Sequence, residues 1–575
     1  MVDFDLVVRS GSVVDGSGRE PFVADVAISN GRIAAFGAVS GRGEEEIDAR
    51  GLIVTPGFVD VHTHYDGQAT WENRLAPSSV HGVTSVVMGN CGVGFAPCRP
   101  GEHEMLIRLM EGVEDIPGVV MREGIPWNWE SFPEYFDRLA ERRYDVDIAG
   151  LAPHSALRVY VMGQRGVDRE PSTEADRAEM ARLLREAVNA GAMGFGTSRT
   201  LFHRSSDGAS IPTLAAPAEE LMALAMALKE CGRGVIQYVS DFRDPEAELR
   251  QIREYVVRSG RPFTFTMGQS NTDPDSWRER VDFLRQANAD GLTIKGQALG
   301  RPVGFLLGHE LTLNPFYSTE TYRSLAHLPL EARLARLRDP EVRAKIIAES
   351  PDPDPVNFLG RHVRGFETMF QLGDPPDYEQ PPEASISSQA RARGVTPEAL
   401  AYDLMLERDG RNQLYLAMGN YGGGSLAASY EMLQESNIVP GLGDGGAHYG
   451  TICDASYSTY LLCHWARDRT RGPRLNLPHV VRKLAYETAK LMGLDDRGLI
   501  ARGYKADLNV IDFDRLRLHP PEIRRDLPAG GRRLVQRADG YVATIVSGVP
   551  VYRDGEATGA LPGRLVRGPQ PAPAH

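Results

Sequence analysis

The chain has 575 residues, a net charge of −13 at pH 7, five cysteines and sixty glycines. An acidic chain with only scattered arginines excludes a general nucleic-acid binder, which needs clustered basic residues to track phosphates. Five irregularly spaced cysteines exclude a disulfide framework and fit a reducing compartment. No stretch of about 18 uninterrupted apolar residues is present to span a bilayer. The opening MVDFDLVVRSG carries acids where a signal peptide needs a basic start. The expected setting is the cytoplasm, without membrane partners.

Residues 4–38 alternate apolar and polar side chains in strand fashion, with a hairpin signal at Asn30-Gly31. Residues 505–552 repeat the pattern. Two β-rich ends around a long middle predict one small β-domain from residues 1–55 and 499–566. Between them, short apolar runs at 57–62, 83–88, 146–152, 193–197, 234–239, 263–268, 292–297 and 438–443 alternate with helical patterns, clearest at 175–190 and 217–230. Buried parallel strands separated by helices predict an α/β fold, a (β/α)₈ barrel over residues 56–498. An open doubly wound sheet is the alternative. The gap between the seventh and eighth runs is too long for a plain loop. It predicts a helical insertion at about 305–435. The proline-rich tail 567–575 reads as disordered.

In a barrel, catalytic groups gather where strands end. After the first run stand His62 and His64, whose i, i+2 spacing turns both imidazoles to one face, where they can chelate one metal ion. After the second, Cys91 lies between Gly89 and Gly92. A lone cysteine is most often filler, but a thiolate at a strand end is a strong zinc ligand. After the third comes His154. After the fourth come Ser198 and Arg199, candidates for holding substrate. After the seventh come Lys295, Gln297 and Arg301, which could bind a substrate carboxylate. After the eighth come Asp444 and His448. Asp444 can bind a metal and accept a proton from activated water. Together these residues predict metal-assisted hydrolysis.

The run Val54-Thr55-Pro56-Gly57-Phe58-Val59-Asp60-Val61-His62-Thr63-His64 resembles the opening motif of the amidohydrolase superfamily. Residues 81–84 (HGVT), 88–97 (MGNCGVGFAP) and 503–510 (GYKADLNV) resemble its N-acyl-D-amino-acid deacylase (D-aminoacylase-like) branch. The resemblance covers nearly the whole chain. It implies a barrel with a β-sandwich and a metal centre of His62, His64, Cys91 and Asp444. It also implies hydrolysis of an amide C–N bond, with an N-acyl amino acid as the leading substrate. His154 matches a branch histidine that faces the substrate, which implies a catalytic role. His448 joins Ser198 and Arg199 as a substrate-side candidate, and a homo-oligomer is expected by resemblance. The branch also carries histidines after its fifth and sixth strands. Here Tyr238 and Gln269 take those places, so one zinc or other divalent ion is expected rather than two, with Tyr238 and Gln269 facing the substrate. Cleavage of a cyclic amide, ester, carbamate or modified peptide is the alternative activity, and a metal-poor pseudoenzyme the remaining one.

Overall fold

The computed structural model describes residues 2–352 and 362–574. Eight parallel strands carry the middle of the chain: β1 (Phe58–Asp60), β2 (Val83–Met88), β3 (Asp147–Gly150, continued by Ala152–Pro153), β4 (Gly194–Arg199), β5 (Val235–Ser240), β6 (Phe263–Thr266), β7 (Ile294–Ala298) and β8 (Ile438–Pro440). All eight overlap the runs read from sequence, with β3, β4, β5 and β7 extending one or two residues beyond them. They pair in chain order, β1-β2-β3 in one sheet and β3 through β7 to β8 in another. A parallel bridge between Thr63 and Gly445 links the chain after β8 to the chain after β1. The order never reverses, as it would in a doubly wound sheet. Val59, Val87, Ala149 and Val439, from β1, β2, β3 and β8, are buried against Ala489, Met492 and Leu494.

Crossover helices follow ordinary capping rules. Glu174–Ala190 begins at a capping box, with Thr173 accepting from the Asp176 amide and Asp176 accepting in return. It buries Met180, Leu184 and Val188, the apolar stripe of its sequence.

Residues from both ends meet in one nine-stranded sheet, including Phe4–Val13, Phe22–Ser29, Ile53–Pro56, Leu508–Ile511 and Tyr541–Val546. A buried ionic network ties this region to the parallel strands. Asp147 on β3 accepts from Arg497 Nη1 at 2.8 Å and lies 3.1 Å from Lys505 Nζ. Arg497 also reaches Ser85 on β2, and Lys505 reaches Asp507.

Two expectations are corrected. The insertion is not purely helical. Val303–Leu307, Met369–Gln371 and Leu414–Gly419 form an antiparallel sheet, and the segment has its own core around Phe305, Leu307, Phe316, Tyr402 and Leu416. The apolar run LYLAMG is too short for periodicity to tell strand from helix. The tail is not disordered across residues 567–574. Gly568 N donates to Gly191 O, Gln570 N to Gly493 O, and Arg567 binds Asp137 at 2.6 Å. Its few amides find acceptors on the chain after the helix at 174–190 and near Gly493. Proline-rich composition cannot reveal those partners.

Breaking a buried ion pair by removing one partner leaves the other charge uncompensated. Asp147→Ala should lower unfolding stability by about 3–5 kcal/mol, measured in urea, without changing the residues of the candidate site.

Candidate active site

The site lies where β1, β2, β5, β7 and β8 end. Past β1 the chain alternates, so His62 and His64 share a face. Asp444 N donates to His62 O, and His64 N donates to Gly445 O. These two bonds lock the histidine segment to the aspartate segment.

Each imidazole is oriented from both sides. His62 Nδ1 hydrogen-bonds Gln297 Oε1 at 2.8 Å, and His62 Nε2 lies 3.4 Å from Asp444 Oδ1 and 3.4 Å from Cys91 Sγ. His64 Nδ1 lies 3.3 Å from Glu114 Oε1, and His64 Nε2 lies 3.6 Å from Asp444 Oδ1. Both Nδ1 atoms therefore turn outward and both Nε2 atoms turn toward Asp444. A side-chain oxygen on the outer nitrogen leaves the inner one free as a lone-pair donor. His62, His64 and Cys91 are all buried, and their ligand atoms lie within 4.8 Å of one another. Neither His64 nitrogen has a hydrogen-bond partner among the described residues. Imidazole, carboxylate and thiol groups in this arrangement suit a zinc-type ion.

The backbone is strained at these residues. Cys91, Asp444 and His448 adopt φ values of 56°, 48° and 54°. Such conformations cost energy and persist only where surrounding contacts impose them. Gly89 is required beside Cys91, because a Cβ there would lie 2.2 Å from Leu151 O.

Burial dominates the electrostatics. It pushes the His62 and His64 imidazoles below their ordinary range and keeps them neutral. It pushes the Cys91 thiol and the Glu114 carboxyl well up. Burial would raise Asp444 too, but its close contact with His64 and the other neighbouring histidines holds it below the usual carboxylate range. Asp60, beneath the site on β1, is pushed up to about 8 by burial.

The structure brings together His62, His64, Cys91, Asp444 and His448. The other predicted site residues lie elsewhere or serve another purpose. Ser198, next to last in β4, hydrogen-bonds His203 Nδ1 at 2.9 Å and so is linked to the site through that histidine. Arg199, one residue on, faces the opposite way, near Tyr238 and Tyr255 of the surrounding layer. Tyr238 also points outward, with its hydroxyl donating to Glu248 at 2.9 Å. The inward residue of β5 is its neighbour Gln237, whose Oε1 accepts from the Cys91 amide at 3.1 Å. A one-residue error along a strand exchanges the two faces. Gln269 is beyond β6, clamped to Asn420 and Gly422 of the insertion. Lys295 is on β7 but two residues before Gln297, and its ammonium binds Ser436 O and Asn437 Oδ1 just ahead of β8. Arg301 is fully buried and spends its guanidinium on Asp454, Ser456 and Cys453 O. His154, expected to face the substrate, bonds Thr197 at 2.8 Å and Glu220 at 2.9 Å, and Glu220 also pairs with Arg158. Burial opposes ionisation of Glu220, yet His154 and Arg158 hold it at about 2. This cluster packs β4 against the helix Ala218–Cys231.

Three residues of the site were not singled out from sequence. Gln237 is inward by register alone. Glu114 ends the helix His103–Glu114, and only its 1% exposure marks it. His203 is in the loop after β4, where burial and the nearby histidines push it down to about 3. A glutamate ending an amphipathic stripe and a histidine in an ordinary loop carry no local signal.

A model of the amidohydrolase family matches residues 45–552. D-aminoacylase of Alcaligenes xylosoxydans xylosoxydans is 28% identical over 570 residues, covering 98% of this chain and 97% of that one. N-acyl-D-aspartate deacylase of the same organism is 26% identical over 571 residues, covering 98% and 95%. The solved N-acyl-D-glutamate deacylase of Bordetella bronchiseptica, complexed with zinc and a phosphonate inhibitor, superposes with a TM-score of 0.65. It is 21% identical, with 98% of this chain and all of that one covered. Fold and sequence thus define a hydrolase acting on carbon–nitrogen bonds other than peptide bonds. The chain belongs to the amidohydrolase family and resembles its D-aminoacylase-like branch.

If Cys91 is a ligand, Cys91→Ala should weaken zinc binding, measured by competition against a chelating dye. Cys231→Ala, at a half-buried cysteine on the helix Ala218–Cys231, should leave the affinity within twofold of the parent.

Proposed function

We propose that this chain is a metal-dependent amidohydrolase that removes the acyl group from an N-acyl amino acid. The observation that carries the reading is the pair of histidines turned Nε2-inward on Asp444, beside the Cys91 sulfur. The end-to-end similarity to D-aminoacylase and N-acyl-D-aspartate deacylase supports the substrate class. The unreversed order of eight parallel strands and the Thr63–Gly445 bridge support a (β/α)₈ barrel, with the shared terminal sheet as the core of its β-sandwich partner.

His62, His64, Cys91 and Asp444 would hold one zinc or other divalent ion. Gln237 and Thr264 are buried on β5 and β6, where neutral side chains make poor ligands for a second. Such an ion, when bound, supplies Lewis acidity to the scissile carbonyl and to water. The remaining work belongs to the chain. Asp444, ionised and with its side chain 15% exposed, takes a proton from the attacking water on Oδ and returns it to the leaving nitrogen. Gln297 holds the His62 imidazole in place. His448 and His203 face the same space and contact the substrate.

A second reading rests on a specific observation. Arg199, Lys295 and Arg301, the cations expected to hold a substrate carboxylate, all lie outside the site. A substrate without that carboxylate, such as a cyclic amide, an ester or a carbamate, suits this arrangement.

Chelation should abolish turnover and added zinc should restore it. Full activity of the metal-free protein would defeat the reading. A panel of N-acyl-D- and N-acyl-L-amino acids beside cyclic imides and esters separates the two substrate classes by kcat/KM. Asp444→Asn should lower kcat by about 10²–10⁴-fold at saturating zinc.

A further inference from the structure

We propose that Glu114 is a positioning residue that holds His64 and His448 as one unit. The inference rests on the metal-centre reading above and extends it to a side chain that contributes none of the four ligand atoms.

Three observations carry it. First, Glu114 is 1% exposed, and neither carboxyl oxygen has a hydrogen-bond partner among the described residues. Leaving such a group unsatisfied in a protein interior is costly. Second, its two oxygens face two different imidazoles: Oε1 lies 3.3 Å from His64 Nδ1, and Oε2 lies 3.5 Å from His448 Nε2. These separations sit just outside hydrogen-bond range and close to direct bonds with a small shift of either ring. Third, the backbone around Glu114 is tied to the segment after β8. Glu114 O accepts from the His448 amide, and the Asp115 carboxylate accepts from Gly450 N at 3.0 Å and from Thr312 Oγ1 at 3.0 Å. The end of the helix His103–Glu114 thus grips the loop that carries both Asp444 and His448.

The physical consequence follows from tautomer control. An acceptor at Nδ1 fixes the proton there and leaves Nε2 of His64 as the donor atom facing Asp444. Gln297 does the same for His62 with a neutral amide. The two ligand histidines are therefore supported asymmetrically, one by an amide and one by a carboxyl group shared with His448. His448 is held at φ 54°, a conformation that needs such support. Loss of Glu114 should loosen His64 as a ligand and free His448 from its place beside the substrate.

The test measures zinc affinity by competition against a chelating dye, together with the visible spectrum of the cobalt-substituted protein. Parent, Glu114→Gln and Glu114→Ala are compared. Loss of such an outer partner typically costs 10–100-fold in metal affinity. Glu114→Ala is expected toward the upper end of that range with an altered cobalt spectrum. Glu114→Gln keeps the shape but can offer its acceptor oxygen to only one imidazole, so it should fall between Ala and parent. If Glu114→Ala fails to fold, Glu114→Gln decides alone. A Glu114→Gln affinity within twofold of the parent, with an unchanged cobalt spectrum, overturns the proposal. A parent protein that binds neither zinc nor cobalt overturns the metal reading itself, and this role with it. Glu104→Gln, an exposed substitution on the same helix at a residue paired with Arg122, serves as the control, and its affinity should match the parent.

Discussion

The centre of this molecule depends on one contact, the Asp444 carboxylate set between the inner nitrogens of His62 and His64. Placing an ionised carboxylate in a low-dielectric interior is expensive unless partners offset the lost hydration. Two histidines after one strand and an aspartate after another must therefore meet within a few ångströms. The backbone bonds from Asp444 N to His62 O and from His64 N to Gly445 O impose that meeting. The same two bonds lie beside the Thr63–Gly445 bridge that joins the last parallel strand to the first. The strained backbone at Cys91, Asp444 and His448 is tolerated because these pairings leave the chain no other path.

Outside that centre, buried charges hold layers together. The His154–Glu220–Arg158 cluster joins β4 to its neighbouring helix, Arg301–Asp454 pins the chain after β7 to the segment after Asp444, and Arg497–Asp147–Lys505 binds the terminal region to β3. These groups sit at or near strand ends, as catalytic residues do. The guanidinium of Arg301 is spent on protein groups, whereas among the described residues both His64 nitrogens and both Glu114 oxygens lack a hydrogen-bond partner.

Much of the arrangement was legible in the chain. Apolar runs marked all eight parallel strands, because strands buried on both faces must be apolar along their length. His62, His64, Cys91 and Asp444 were legible because each directly follows such a run. The misses share one origin. Tyr238 and Gln237 are adjacent on one strand, and only the pairing of Gln237 with Gly196 and Thr264 decides which of them faces inward. Lys295 and Gln297 share a face but differ in depth, so one meets the chain before β8 and the other meets His62.

Sequence by itself determined the family, through its motifs, and marked the apolar runs that become the parallel strands with His62, His64, Cys91 and Asp444 at or after their ends, since these are local patterns. Tertiary structure decided which cations reach the site and which do not. It also brought Glu114, distant in sequence and silent in pattern, against His64 and His448. Local spacing controls the direction of a side chain along its own element. The partner it meets depends on how elements far apart in the chain pack.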